Sequence, residues 1–230
     1  MDFQPWPKQI KPYCPNPHTL DELKEMLTDW GYEYEMVKAC REKDDVYEEV
    51  ALRLPPRPEL TKLRGHLIAT FPELGFWPVT TEGYLNLYNP CLDEVEQPSI
   101  TNSALTANSF DTKVIKVPAD NYLLITPVKH PADIPAAIGW DAANYDCYGS
   151  YISSVLRSWE ARFGAIIFHL EHGTIKLMVR DFRPLTKKEL TALAWDHYHF
   201  CPDNIDQSSY DFDEYRDAIA TDKVWHFWWD

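Results

Sequence analysis

Apolar positions along this chain recur at two periods, and the switches between them predict its elements. After a Pro-rich, irregular arm over residues 1–18, Thr19 and Glu22 form a T-x-x-E capping box. Leu20, Leu23, Leu27 and Trp30 then fall on one helical face that stops before Gly31. Tyr32 to Ala39 alternates as a strand. Val46, Val50, Leu52 and Leu54 alternate with Tyr47, Glu49, Ala51 and Arg53 as a second strand. Pro58 opens a helix carrying Leu60, Leu63, Leu67 and Ile68, and Phe76-Trp77-Pro78-Val79 reads as a short strand after it.

Residues 89–112 open on an Asn89-Pro90 turn and stay rich in Ser, Thr and Asn, which predicts a linker or long loop. Val114-Ile115-Lys116-Val117 and Tyr122-Leu123-Leu124-Ile125 are strand candidates. Tyr148, Ile152, Val155, Leu156, Trp159 and Phe163 then recur at helical spacing. Ala165 to Leu170 and Thr174 to Val179 form a hairpin around Glu171-His172-Gly173. Thr186 and Glu189 cap a further helix, with Leu185 and Leu190 as its hydrophobic staple. The final Val224-Trp225-His226-Phe227-Trp228-Trp229 run is apolar on both alternating faces, which predicts a buried central strand.

Two stretches repeat. Leu27-Thr28-Asp29-Trp30 matches Leu156-Arg157-Ser158-Trp159, and Glu59-Leu60-Thr61-Lys62-Leu63 matches Glu189-Leu190-Thr191-Ala192-Leu193. The expected fold class is therefore α+β, with two related helix–strand–strand–helix halves on small, mainly antiparallel sheets. The expected divisions are an arm (1–18), an N-terminal half (19–88), a linker (89–112) and a C-terminal domain (113–230).

Composition narrows the function. The chain has 230 residues, 45% hydrophobic and 25% charged, as in ordinary globular proteins. A formal charge of −14 repels phosphate backbones and anionic lipid, so neither nucleic acid nor membrane is expected as a partner. It suits a protein with a basic surface. Cys14, Cys40, Cys91, Cys147 and Cys201 are scattered singly without C-x-x-C spacing, as in a reducing compartment. With no basic n-region and apolar h-region at the N-terminus, a cytoplasmic location is expected.

Candidate chemistry gathers near the C-terminus. His197, His199, Cys201 and Asp203 alternate, as metal ligands on an extended segment would. The preceding pattern is helical, however, which puts His197 and Cys201 on one face and His199 about 200° away. A thiolate at Cys201 would face the negative end of the helix dipole, so nucleophilic catalysis is disfavoured. No phosphate-cradling or zinc-protease motif is present. No catalytic residue, cofactor or metal is expected. Asp203, Asp206, Asp211, Asp213 and Glu214 crowd one segment with Tyr210, Phe212 and Tyr215 interleaved, an acidic and aromatic surface suited to a basic protein. The alternative site is a pocket of Asp196, His197, Cys201 and Asp203 in a small-molecule-binding protein or hydrolase.

A resemblance rests on Ile134-Pro135-Ala136-Ala137-Ile138-Gly139-Trp140 with Asn144, Leu156 through Ala165, and Arg183-Pro184. It continues with Phe200-Cys201-Pro202-Asp203, Gln207 and Trp225 through Asp230. From about Lys113 to Asp230 the chain resembles the bacterial domain-of-unknown-function family 4253. Where that family tends to carry Glu four residues before the Phe-Cys-Pro-Asp run, this chain has Asp196, which keeps the charge on a shorter arm. In the N-terminal half the clearest echo is Gly75 through Val79. The resemblance implies a fold and no activity. The functional expectation is a non-enzymatic, protein-binding protein, in its specific form an immunity protein that covers a toxin's basic active site.

Overall fold

In the computed structural model, the described residues are 10–41, 43, 45–83, 85, 87–99, 104, 116–142, 148–180 and 182–230. The helices are α1 (Leu20–Asp29), α2 (Leu60–Leu74), α3 (Ile134–Ile138), α4 (Gly149–Phe163), α5 (Lys187–Phe200), α6 (Asp203–Asp206) and α7 (Phe212–Ile219). The strands are β1 (Glu35–Arg41), β2 (Val46–Leu54), β3 (Phe76–Thr81), β4 (Tyr122–Pro127), β5 (Ile166–Glu171), β6 (Thr174–Met178) and β7 (Val224–Trp228). Both predicted capping boxes form. Thr19 Oγ1 accepts from the Glu22 amide while Glu22 accepts from the Thr19 amide at 2.7 Å, and Thr186 and Glu189 do the same on α5. A third box, Asp211 with Glu214, starts α7.

The protein is α+β, and its strands form one sheet in the order β1-β2-β4-β3-β5-β6-β7. The separate small sheet expected in each half is replaced by this single seven-stranded sheet. Every neighbouring pair is antiparallel except β3 with β5. The division expected over 89–112 does not separate the sheet, because β4, on its C-terminal side, lies between β2 and β3. Of the candidate strand Val114–Val117, residues 114 and 115 lie outside the described residues, and Lys116 and Val117 are not in a strand.

The joint between β3 and β5 is narrow. Its one ladder pair is Thr80 with His169. Pro78 brings no N–H to β3, so this strand cannot keep a full ladder on both edges. Side chains complete the seam: Trp77 Nε1 donates to the Ile167 carbonyl at 2.9 Å. Arg64 Nη2 and Thr80 Oγ1 donate to the Phe168 carbonyl at 2.6 and 3.2 Å.

Alternation along the strands sorts the core onto two faces. Leu52, Leu54, Phe76, Leu123 and Ile125 pack with Leu23 and Leu27 of α1 and Leu60, Leu63 and Leu67 of α2. Ala51, Trp77, Val79 and Leu124 point the other way, into a larger cluster with α3, α4 and α5. That cluster continues under β5–β7 through Ile167, Leu170, Ile175, Leu177, Trp225 and Phe227. The opposite face of β5–β7 carries a polar row, in which Thr80, His169, Lys176 and His226 are successive register partners across four strands, with Val224 and Trp228 flanking His226 on β7.

The last strand departs from expectation. β7 is an edge strand, with Trp225 and Phe227 buried on one face and His226 exposed on the other. The proposed repeat shares an element order of helix, hairpin, helix, strand. Its matched residues fall at different places: Trp30 caps the end of α1, whereas Trp159 lies inside α4. β7 pairs directly with β6, whereas β4 separates β3 from β2.

Candidate functional site

The segment richest in candidate chemistry lies where α5 ends against β7. Trp159 stacks on Phe227 with ring centroids 5.2 Å apart and meets Phe200, Trp225 and His197 at 4.9, 5.7 and 4.7 Å. His197 is fully enclosed in this box, and its Nδ1 lies 3.0 Å from the Tyr215 hydroxyl. Burial pushes its pKa down to about 3, with the Arg162 charge adding to the effect. The same enclosure pushes the Tyr215 hydroxyl well above its ordinary value.

The residues after His197 hold the outer edge of β7. Cys201 Sγ donates to the Trp228 carbonyl at 2.9 Å. Asn204 Nδ2 donates to the His226 carbonyl at 2.6 Å, and its Oδ1 accepts from the Trp228 amide at 3.2 Å. Asp203 Oδ2 accepts from the Asp230 amide at 3.0 Å. Backbone groups of residues 226, 228 and 230 point out of the sheet on one side, and these side chains satisfy them where an eighth strand would otherwise add. The alternative pocket therefore does not assemble. His197 faces the aromatic box, Cys201 and Asp203 engage the chain end, and Asp196 lies outside, 3.2 Å from Arg162.

The proposed acidic partner-binding set does not form one surface. Asp203 is buried in the edge cap, and Tyr215 bonds inward to His197 and Asn204. Tyr210 and Tyr215 line a cleft of about 220 Å³ between α7 and β7, together with His226 and Trp228. Asp206, Asp211, Phe212 and Asp213 line a shallow, open groove of about 530 Å³ with Trp195, Tyr198 and Ile205. Glu214 is exposed on α7, where its carboxylate closes the capping box. In the groove, Trp195 is 45% exposed and packs against Phe212 at 4.5 Å. Tyr198 donates to Asp206 Oδ2 at 3.1 Å, and this bond raises the Tyr198 pKa. Sequence reading missed Trp195 and Tyr198. Their signal is two aromatic residues three apart on the polar side of α5.

Two further clusters of titratable groups are built into the fold. Beneath α4, the Arg157–Asp133 pair (2.8 Å) lies beside His130–Glu160 (2.8 Å), and burial raises the pKa of both Asp133 and Glu160. At the polar row on the sheet, donor atoms of Glu82, His169 and Glu171 lie within 4.8 Å of one another. Among the described residues this is the one trio of His, Cys, Asp or Glu spaced to surround a cation. Burial lowers the His169 pKa, and contact with Glu171 opposes that shift. Sequence reading took Glu171 as part of a hairpin turn and gave Glu82 and His169 no role. His169-x-Glu171 is a same-face pair on a strand, but Glu82 is 87 residues earlier and joins only through the β3–β5 seam.

Residues 122–230 match the family model described as Domain of unknown function (DUF4253). This is the family the sequence resembles, and the match lies in the C-terminal half of the chain. No curated protein matches the chain, and no solved structure matches it. No helix among the described residues is long and apolar enough to cross a membrane.

Proposed function

We propose that this protein is a non-enzymatic binder of a basic protein surface and that the α5–α7 groove is its docking face. The observation that carries the reading is the Trp195–Phe212 ring pair, with Trp195 exposed and Phe212 half-buried beneath it, bordered by Asp206, Asp211 and Asp213. An exposed ring beside carboxylates suits a Lys or Arg side chain, which gains Coulomb attraction and a cation–π contact together. The net charge of −14 would steer a cationic partner to the protein from a distance. In its specific form the partner is a toxin whose basic active site is covered on binding, as an immunity protein would do.

The test compares the intact protein with Trp195→Ala and Asp206→Asn in co-precipitation at low and high salt. The wild type should retain a basic protein at low salt and release it as salt rises, and each variant should retain much less. Equal retention by both variants would overturn the reading, as would a partner that salt does not release.

A further inference from the structure

The polar row across β5–β7 carries a second site, independent of the docking groove. His169 is 4% exposed, and its Nδ1 lies 2.9 Å from Thr80 Oγ1. The same hydroxyl lies 3.2 Å from the Phe168 carbonyl, which also accepts from Arg64 Nη2 at 2.6 Å. The Thr80 hydroxyl holds the Nδ1 side of the ring and so turns Nε2 toward Glu171. Nε2 is in direct contact with Glu171 Oε1, so an imidazole nitrogen and a carboxylate meet at one point.

Glu82 completes the surroundings. It follows the end of β3, two residues beyond Thr80, and brings a second carboxylate toward the same point. The Glu171 main chain is held by Trp140, whose Nε1 donates to its carbonyl at 2.8 Å. Lys176, the register partner of His169, leaves the site net negative with its two carboxylates.

We propose that Glu82, His169 and Glu171 bind one divalent transition-metal ion, zinc or manganese, across the β3–β5 seam. The donor set is one imidazole nitrogen and two carboxylates, which suits those ions and not magnesium. Zinc bonds of about 2.0–2.2 Å place any two donors on one ion at most about 4.4 Å apart. The observed separation of up to 4.8 Å therefore closes with a small turn of the exposed Glu82 side chain. Thr80 plays the orienting part that outer hydrogen bonds commonly play for metal-bound histidine. Three protein ligands leave a coordination position toward the open side of the sheet for water or a small anion. The ion also ties β3 to β5 where the ladder is thinnest.

The experiment titrates metal-stripped full-length protein with zinc chloride, following bound metal and thermal unfolding. Wild type should take up one zinc per chain and unfold at higher temperature with it, and magnesium should do neither. Glu82→Gln, on the exposed side, should fold normally and bind zinc at least about tenfold more weakly, with Thr80→Val losing about 10–100-fold. His169→Asn should abolish the site. If wild type binds no zinc, the contact is a histidine–carboxylate hydrogen bond only and the proposal fails. Zinc held equally well by wild type, Glu82→Gln and His169→Asn would place the ion elsewhere and overturn it too. Neither result bears on the groove, whose variants leave these residues untouched.

Discussion

His197 offers a test of the aromatic box that separates burial from every other effect of acid. The folded ring stays neutral down to about pH 3, whereas the unfolded chain takes up its proton near the ordinary value of 6.5. Between those values the unfolded state binds more protons, so stability is fully present above about pH 6.5 and is lost progressively toward pH 3. At about pH 5 the unfolded side chain sits one and a half units below its ordinary value, which corresponds to about 2 kcal/mol at 1.36 kcal/mol per unit. The folded side contributes nothing there, because its ring is still neutral. His197→Phe keeps a ring among Trp159, Trp225 and Phe227 but cannot titrate, and Tyr215 retains its bond from Asn204 at 3.3 Å. Urea unfolding of both proteins at about pH 7.5 and about pH 5 should show the wild type losing about 2 kcal/mol more than the variant. The comparison cancels groups common to both, including His169 and His226, whose pKa values burial also lowers. An equal loss in the two proteins would refute the account of an enclosed neutral imidazole.

Asn204→Ala should cost about 1–3 kcal/mol for each β7 backbone group left without a partner, and hydrogen exchange at the Trp228 amide should speed up. Arg157→Met removes one member of a buried pair and should destabilise by about 3–5 kcal/mol, with Arg157→Met/Asp133→Leu recovering much of it in thermal unfolding. Thr19→Ala and Thr186→Ala should each lower stability by about 1 kcal/mol, read from urea midpoints at unchanged m-value. Trp77→Phe keeps the ring but loses the indole bond to Ile167, and should cost about 1 kcal/mol.

Local physics made most elements legible. The capping boxes at Thr19 and Thr186, the hairpin at Gly173 and the periodicity of α4 depend on residues a few positions apart, and each forms where expected. The sheet was less legible, because the placement of β4 between β2 and β3 joins segments about 70 residues apart and leaves no periodic trace. The same holds for the chain end. Trp225, Phe227 and Trp229 announced burial, but nothing local showed that Asn204 and Asp203 would stand in for a neighbouring strand. Among the acidic residues, sequence alone could not tell Asp203, turned inward, from Asp206 and Asp211, which border the groove. That separation arises from how α6 and α7 fold back over β7.

The position of β4 bears on what a self-sufficient unit of this protein is. The family match begins at residue 122, the first residue of that strand. Both of its partners, β2 and β3, come from earlier in the chain, and β5 also takes its parallel neighbour from there. A fragment cut at residue 122 would thus carry one strand with two bare sides and another with one, an arrangement prone to intermolecular pairing. Any polypeptide built on this half in the same way needs strands donated from outside it, by its own preceding sequence or by another molecule.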